Sequence, residues 1–174
     1  MIPLSESKAQ KWFASAVKTL TDKIPDNMID IRSSKVPPIG ELVLYKYDPK
    51  TKDKLQYYDT NPLVLVLDFN STGFSGINLH YIPPEIRKVI VKQMKIEKER
   101  STSGIDYIRR VSPMMTNIAG SRLIEHAYKK YLVSHVQSRI AVLGVPTWTI
   151  STNLPLQSFV GASTNKVYSN FRKG

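Results

Sequence analysis

Between Asn61 and Pro84 the chain reads NPLVLVLDFNSTGFSGINLHYIPP, and this run constrains the fold more than any other. PLVLVLDF is almost continuously apolar, the pattern of a strand covered on both faces. NSTG turns it, with Gly73 expected to supply a positive φ and Gly76 to allow close approach of a neighbour. FSGINLHYI returns, placing Phe74, Gly76, Asn78 and His80 on one face and Ile77, Leu79 and Tyr81 on the other. The second set is apolar and faces the core, so His80 starts on the polar side. Pro83-Pro84 stops the strand and, with Glu85 behind it, opens a helix, since proline is tolerated in a first turn and an acid there suits the helix dipole. A hairpin of this kind needs a layer of helices against it.

The flanking sequence supplies candidates for that layer. SESKAQKWFASAVKTLTDK sets Trp12, Phe13, Ala16, Val17 and Leu20 on one helical face, ended by Pro25. Its aromatic pair docks on the chain's own core or on a neighbouring subunit. The proline-rich linker IRSSKVPPIG that follows favours the subunit. GELVLYKYDP alternates as a strand up to an Asp48-Pro49 turn, and KTKDKLQYYDTN is a polar, mobile loop carrying Asp53 and Asp59. EIRKVIVKQMKIEKER predicts a half-buried helix with a solvated charged face. IDYIRRV predicts a short helix broken at SPM. SRLIEHAYKKYLVSHV has a stripe at helical spacing and predicts a third helix, and IAVLGVPTWTIST predicts a late strand. The order gives an α+β protein: a small, curled antiparallel SH3-like β-barrel with an N-terminal helix and C-terminal helices. Two parts are expected: an N-terminal helical arm and linker at 1–36, and one α+β domain at 37–174. Within the domain the β core spans 40–82 and 140–153, helices fill 84–135, and a basic tail runs over 156–174.

The 174 residues include 25 Lys and Arg against 14 Asp and Glu, a net charge of +11. From Val111 to Gly174, seven basic residues stand against one acid, a net +6. Such an excess favours a polyanion, either nucleic acid or the acidic surface of another protein. There is no Cys, which excludes thiol catalysis, cysteine zinc sites and disulfides. No signal-peptide pattern and no apolar run of about 18 residues is present, so a soluble chain without a membrane partner is expected.

Catalytic chemistry finds little purchase. His80, His126 and His135 are the three imidazoles, and none shares the i, i+4 spacing of a helical zinc pair. Asp59 and Asp68 are possible neighbours for His80 but complete no known catalytic pattern. No phosphate-cradling glycine loop, nucleophile elbow or paired carboxylate is present. The expectation is a non-enzyme without metal or cofactor, in which His80 and Tyr81 seal the corner at Pro83-Pro84 as scaffold. For a polyanionic partner the contact candidates are Lys50, Lys52 and Lys54 just ahead of Tyr57 and Tyr58, and the pairs Arg109-Arg110 and Lys129-Lys130. Lysines track phosphates while tyrosines stack bases. The alternative is that these lysines solubilise a loop whose tyrosines cap the barrel.

Tyr47-Asp48-Pro49-Lys50, Lys52-Asp53, Tyr57-Tyr58-Asp59, Pro62-Leu63-Val64, Gly73-Phe74, Gly76, Asn78-Leu79-His80-Tyr81 and Pro83-Pro84 together resemble a family of small virion proteins from T-even-like and other contractile-tailed bacteriophages. Several members of that family are DNA end protectors. The likeness extends more faintly to the Trp12 helix, to YLVSHVQS and to FVGASTNKVYSN, and departs at Gln56, where the pattern favours proline. It implies a non-enzymatic structural protein of a virion assembled in the host cytoplasm. Its partners would be other virion proteins, and genomic DNA ends, in a symmetric multi-copy assembly. The alternative it leaves open is a neck, tail or baseplate adaptor that binds acidic subunits.

Overall fold

In the computed structural model, residues 31–34, 37–122 and 124–173 are described. The expected Trp12-Phe13 helix and its docking lie outside them. Among them, six antiparallel strands form the main sheet in the order β1-β7-β2-β4-β5-β6: β1 (Ile31–Ser34), β2 (Leu42–Leu44), β4 (Leu63–Phe69), β5 (Gly73–Asn78), β6 (Tyr128–Leu132) and β7 (Ile140–Leu143). A separate two-stranded ribbon pairs β3 (Tyr58–Asp59) with β8 (Phe159–Val160). Among the described residues four helices occur: α1 (Pro84–Arg100), α2 (Gly104–Ala119), α3 (Val145–Asn153) and α4 (Thr164–Lys173). The protein is α+β. Among the described residues β1 and β6 do not pair, so the sheet stays open and the expected SH3-like barrel is not formed.

The hairpin at the centre follows from its side chains. Leu63 and Leu65 of β4 join the larger core, with Ile77, Ile90, Val91, Met94 and Trp148. Val64 and Val66 point to the other face and join Val43, Tyr45, Phe74, Tyr131 and Val142. Both faces of β4 are therefore covered, as its continuous apolar run requires. Tyr45 meets Phe74 and Tyr131 edge-on at centroid distances of 5.5 and 5.6 Å, a favourable aromatic geometry. Gly73 departs from its expected role: the described glycines with positive φ are Gly40 and Gly161. Asn70 holds the turn instead, its Oδ1 accepting from the Thr72 and Gly73 amides. What Gly73 permits is contact with β6, since a Cβ there would lie 1.8 Å from the Tyr131 carbonyl oxygen. At Gly76 a Cβ would lie 2.3 Å from the Leu65 carbonyl oxygen.

Four further expectations are corrected. Ile31–Ser34 is a strand on the edge of β7, because pairing supplies the hydrogen bonds a linker would leave to water. The α2 helix runs through Pro113 to Ala119. Buried Tyr107, Val111 and Met115 anchor it on both sides of the proline, and Ser103 caps it by accepting from the Asp106 amide at 3.1 Å. The predicted third helix is absent. Glu125–Ala127 and Val133–His135 are single 3-10 turns around β6, which pairs with β5 from Ile77↔Tyr128 to Gly73↔Leu132. The open edge of β5 captures this segment, and tyrosines suit a strand as well as a helix. The expected late strand ends at Leu143, and TWTIST forms α3. There the Thr147, Ser151 and Thr152 hydroxyls donate back to carbonyls one turn earlier, which lets a β-branched segment stay buried as a helix against α1. The tail from 156 to 173 contains β8 and the regular helix α4.

Candidate nucleic-acid interface

Two polar regions meet at Asp59 and Asn78, at the end of β5. The first is the corner that follows Asn78. His80 is wholly buried and its Nδ1 lies 2.7 Å from Asp59 Oδ2. Asp59 was expected in a mobile loop, and His80 on the polar side of its strand. Pairing of β3 with β8 instead carries Asp59 inside, to 4% exposure. Its Oδ1 accepts from the Asn61 and Ser158 amides, both at 3.0 Å, and its Oδ2 also accepts from Asn78 Nδ2. Burial pushes the carboxyl up, but His80 and these amides outweigh it and hold Asp59 below the ordinary carboxylate range. Arg87, 1% exposed, locks the corner from behind. Its Nε donates to the Ile82 carbonyl at 2.6 Å, and its terminal nitrogens donate to the carbonyls of Thr152 and His80 and to the Tyr168 hydroxyl. Burial lowers the Arg87 pKa.

The other imidazoles are also tied to backbone. His126 Nε2 lies 3.3 Å from the Tyr81 carbonyl oxygen, and His135 Nδ1 2.9 Å from that of Asp48. No cluster of three or more potential metal ligands occurs among the described residues.

The second region is a cleft of about 290 Å³ between the loop after β2 and the edge strand β6. Lys50, Lys129 and Lys130 line it together with Tyr57, Tyr58, Tyr81 and Tyr131, and Asp59 and Asn78 lie at its floor. The folding of 128–132 as a strand is what assembles it. A helix would have carried Lys129-Lys130 away from the loop, whereas β6 sets them beside it. Lys129 Nζ lies 4.4 Å from the centre of the Tyr81 ring, a cation–π contact, and burial lowers its pKa. Tyr81 is braced edge-on by Phe159 at 5.1 Å, and Tyr57 lies 5.9 Å from Tyr81. Burial, then Asp59 and Tyr57, push the Tyr81 hydroxyl well up, so it stays a neutral phenol.

The remaining contact candidates behave differently. Lys52 pairs with Asp48 at 2.9 Å on the loop's outer turn, and Lys54 is exposed on the same turn. Arg109 and Arg110 lie on α2, outside the cleft lining, and both pair with Asp106 at 2.6 and 3.0 Å. Arg109, the Thr102 amide and Arg110 hold the Asp106 carboxyl well below the usual range. Lys50, Lys129 and Lys130 have no carboxylate within salt-bridge distance among the described residues. A second depression of about 340 Å³ has Lys46 as its one charged lining residue. Sequence reasoning missed Arg87, which looks like one more cation of a solvated helix face, and the burial of Asp59, which depends on pairing with a strand about a hundred residues away.

These features define an open-sheet α+β protein that offers a cationic, tyrosine-lined cleft of the kind suited to a polyanion. The family comparison is specific: a family model described as phage T4 terminal DNA protecting protein matches residues 4–172. The chain belongs to that family. No curated protein and no solved structure matches it individually.

Proposed function

We propose that this protein is a non-enzymatic structural component of a contractile-tailed phage virion that shields the ends of the genomic DNA, with the Lys50–Lys129–Lys130 cleft facing the nucleic acid. One observation carries the reading. In a chain of the terminal DNA protecting family, three lysines that have no carboxylate within salt-bridge distance among the described residues share one cleft with tyrosines. Uncompensated ammonium groups in a concave, partly desolvated surface concentrate positive potential and attract phosphates. Contact through phosphates and ring faces carries no base preference. His80, Asp59 and Tyr81 are scaffold in this reading, and the particle holds several symmetric copies among other virion proteins.

A second reading, an adaptor in the neck, tail or baseplate, sets the same lysines, which have no carboxylate within salt-bridge distance among the described residues, against acidic subunits of the virion. Charge reversal of Lys129 and Lys130 separates the two. Under the first, the purified variant loses protection of linear duplex against an exonuclease and particles lose DNA-end protection. Under the second, the wild-type protein has negligible DNA affinity at physiological salt and the variant blocks particle assembly instead.

A further inference from the structure

The cleft is smaller than the ligand its charge attracts. About 290 Å³ lies just below the roughly 300–1,000 Å³ that small-ligand pockets occupy. A duplex, whose major groove alone is about 12 Å wide, cannot be seated there. One nucleotide can. The lining divides as a nucleotide divides, into aromatic residues, Tyr57 and Tyr58, and cationic ones, Lys50, Lys129 and Lys130. Asp59 at the floor has both oxygens occupied by the Asn61 and Ser158 amides, Asn78 and His80, so the lysines govern what the mouth attracts. Tyr57 is held before any ligand arrives, by Tyr81, by Phe159 at 6.4 Å and by Asn170, whose Nδ2 donates to its hydroxyl at 3.1 Å. A fixed ring loses little entropy on stacking.

We infer that the cleft receives one unpaired terminal nucleotide of a DNA end, its base stacked on Tyr57 or Tyr58 and its phosphate among the three lysines. This rests on the end-protecting reading and supplies the physical basis of its selectivity. Phosphate contacts and stacking alone hold any stretch of DNA. Taking a nucleotide out of the helix costs least where it is already unpaired or has no neighbour on one side. A site that admits a single extruded nucleotide therefore distinguishes an end from an interior without reading sequence.

The test uses the full chain and three forms of one duplex: blunt, blunt with the terminal base pair covalently cross-linked, and closed into a circle. In the blunt form 2-aminopurine is placed either at the terminus or ten positions inside. The terminal label should change fluorescence on binding and the internal one should not. Cross-linking should weaken binding about tenfold, the scale of one lost base–aromatic stack. Replacing both Tyr57 and Tyr58 by Ala should remove most of the terminal response, and Lys50→Gln, in an exposed loop, should lower affinity for both open forms. Equal binding and equal protection of cross-linked and free ends would overturn the inference and leave end protection standing. Binding the circle as tightly as the blunt duplex would overturn both.

Discussion

The buried corner and the cleft share Asp59, Asn78 and Tyr81, yet they treat charge in opposite ways. At the corner each ionic group has an internal partner: Asp59 accepts four hydrogen bonds, and Arg87 donates to three carbonyls and a hydroxyl. In the cleft Lys50, Lys129 and Lys130 line a concavity with no carboxylate within salt-bridge distance among the described residues. Apart from His80 Nε2 and Asn61 Oδ1, which are buried without a hydrogen-bond partner, the corner's polar groups are paired. Such a network over-determines local geometry, whereas an unmatched one leaves electrostatic work for a ligand. The corner is thus the scaffold on which the cleft is mounted, and variants should separate the two.

Arg87→Met carries the largest expected effect. It removes the donors to Ile82, His80, Thr152 and Tyr168 and leaves three buried carbonyls short of a partner. At about 1–3 kcal/mol for each unsatisfied buried group, only partly additive, a loss of about 4 kcal/mol is expected. Urea unfolding measures it. A loss below about 1 kcal/mol would mean that the corner does not depend on this arginine.

Asp59→Asn and His80→Gln act on the same corner from its other side, at about 2 and 1–2 kcal/mol. Asp59 adds a sign. Its folded pKa lies below its ordinary value, so its contribution is fully present above the unfolded value of about 3.9 and is lost as pH falls through the lower folded value. The wild type should therefore lose this contribution only below about pH 4, and Asp59→Asn should flatten that acid limb while lowering stability by about 2 kcal/mol above it. A bound metal at His80, or a hydrolytic activity abolished by His80→Gln alone, would contradict its scaffold role.

How much of this was legible in the sequence differs by region for a physical reason. The β4–β5 hairpin and the Pro83-Pro84 helix start are local patterns, and the structure has both. The 128–132 segment has helical spacing, and only the free edge of β5 decides that it is a strand. Asp59 looks like a loop residue because its burial comes from Phe159 on β8 and from Ser158 just ahead of it, which no local pattern links to it. Arg87 shares a helix with exposed Lys88 and Lys92, and periodicity alone does not show that the Tyr168 and Thr152 segments fold over it. Lys50 and Lys129-Lys130 were candidates from composition, whereas their meeting in one cleft depends on that same strand.

Gly161→Ala should touch both regions. Gly161 has φ +90°, and a Cβ would lie 2.4 Å from the Gln56 carbonyl oxygen, so the β3–β8 ribbon must shift. About 1–2 kcal/mol of stability should be lost, together with several-fold weaker DNA binding, because the ribbon positions Tyr58 in the cleft and Asp59 in the corner. Loss of stability with binding unchanged in the folded protein would show that the cleft does not need the ribbon's position.

The smallest effects make the sharpest comparison, because Lys50 and Lys52 are two residues apart. Lys50 lines the cleft, whereas Lys52 is paired with Asp48 on the outer turn. Neither substitution should alter the unfolding midpoint, since both side chains are exposed and outside the core. Lys50→Gln should lower affinity for linear DNA evenly across sequences and reduce the slope of log affinity against log salt by about 0.9, the release expected for one phosphate contact. Lys52→Gln should leave that slope in place, because its ammonium is already matched and counterions do not need to leave a phosphate on its account. Equal slopes for the two variants would mean that the loop acts as a diffuse cationic surface, and the cleft would lose its claim to be the place where DNA is held.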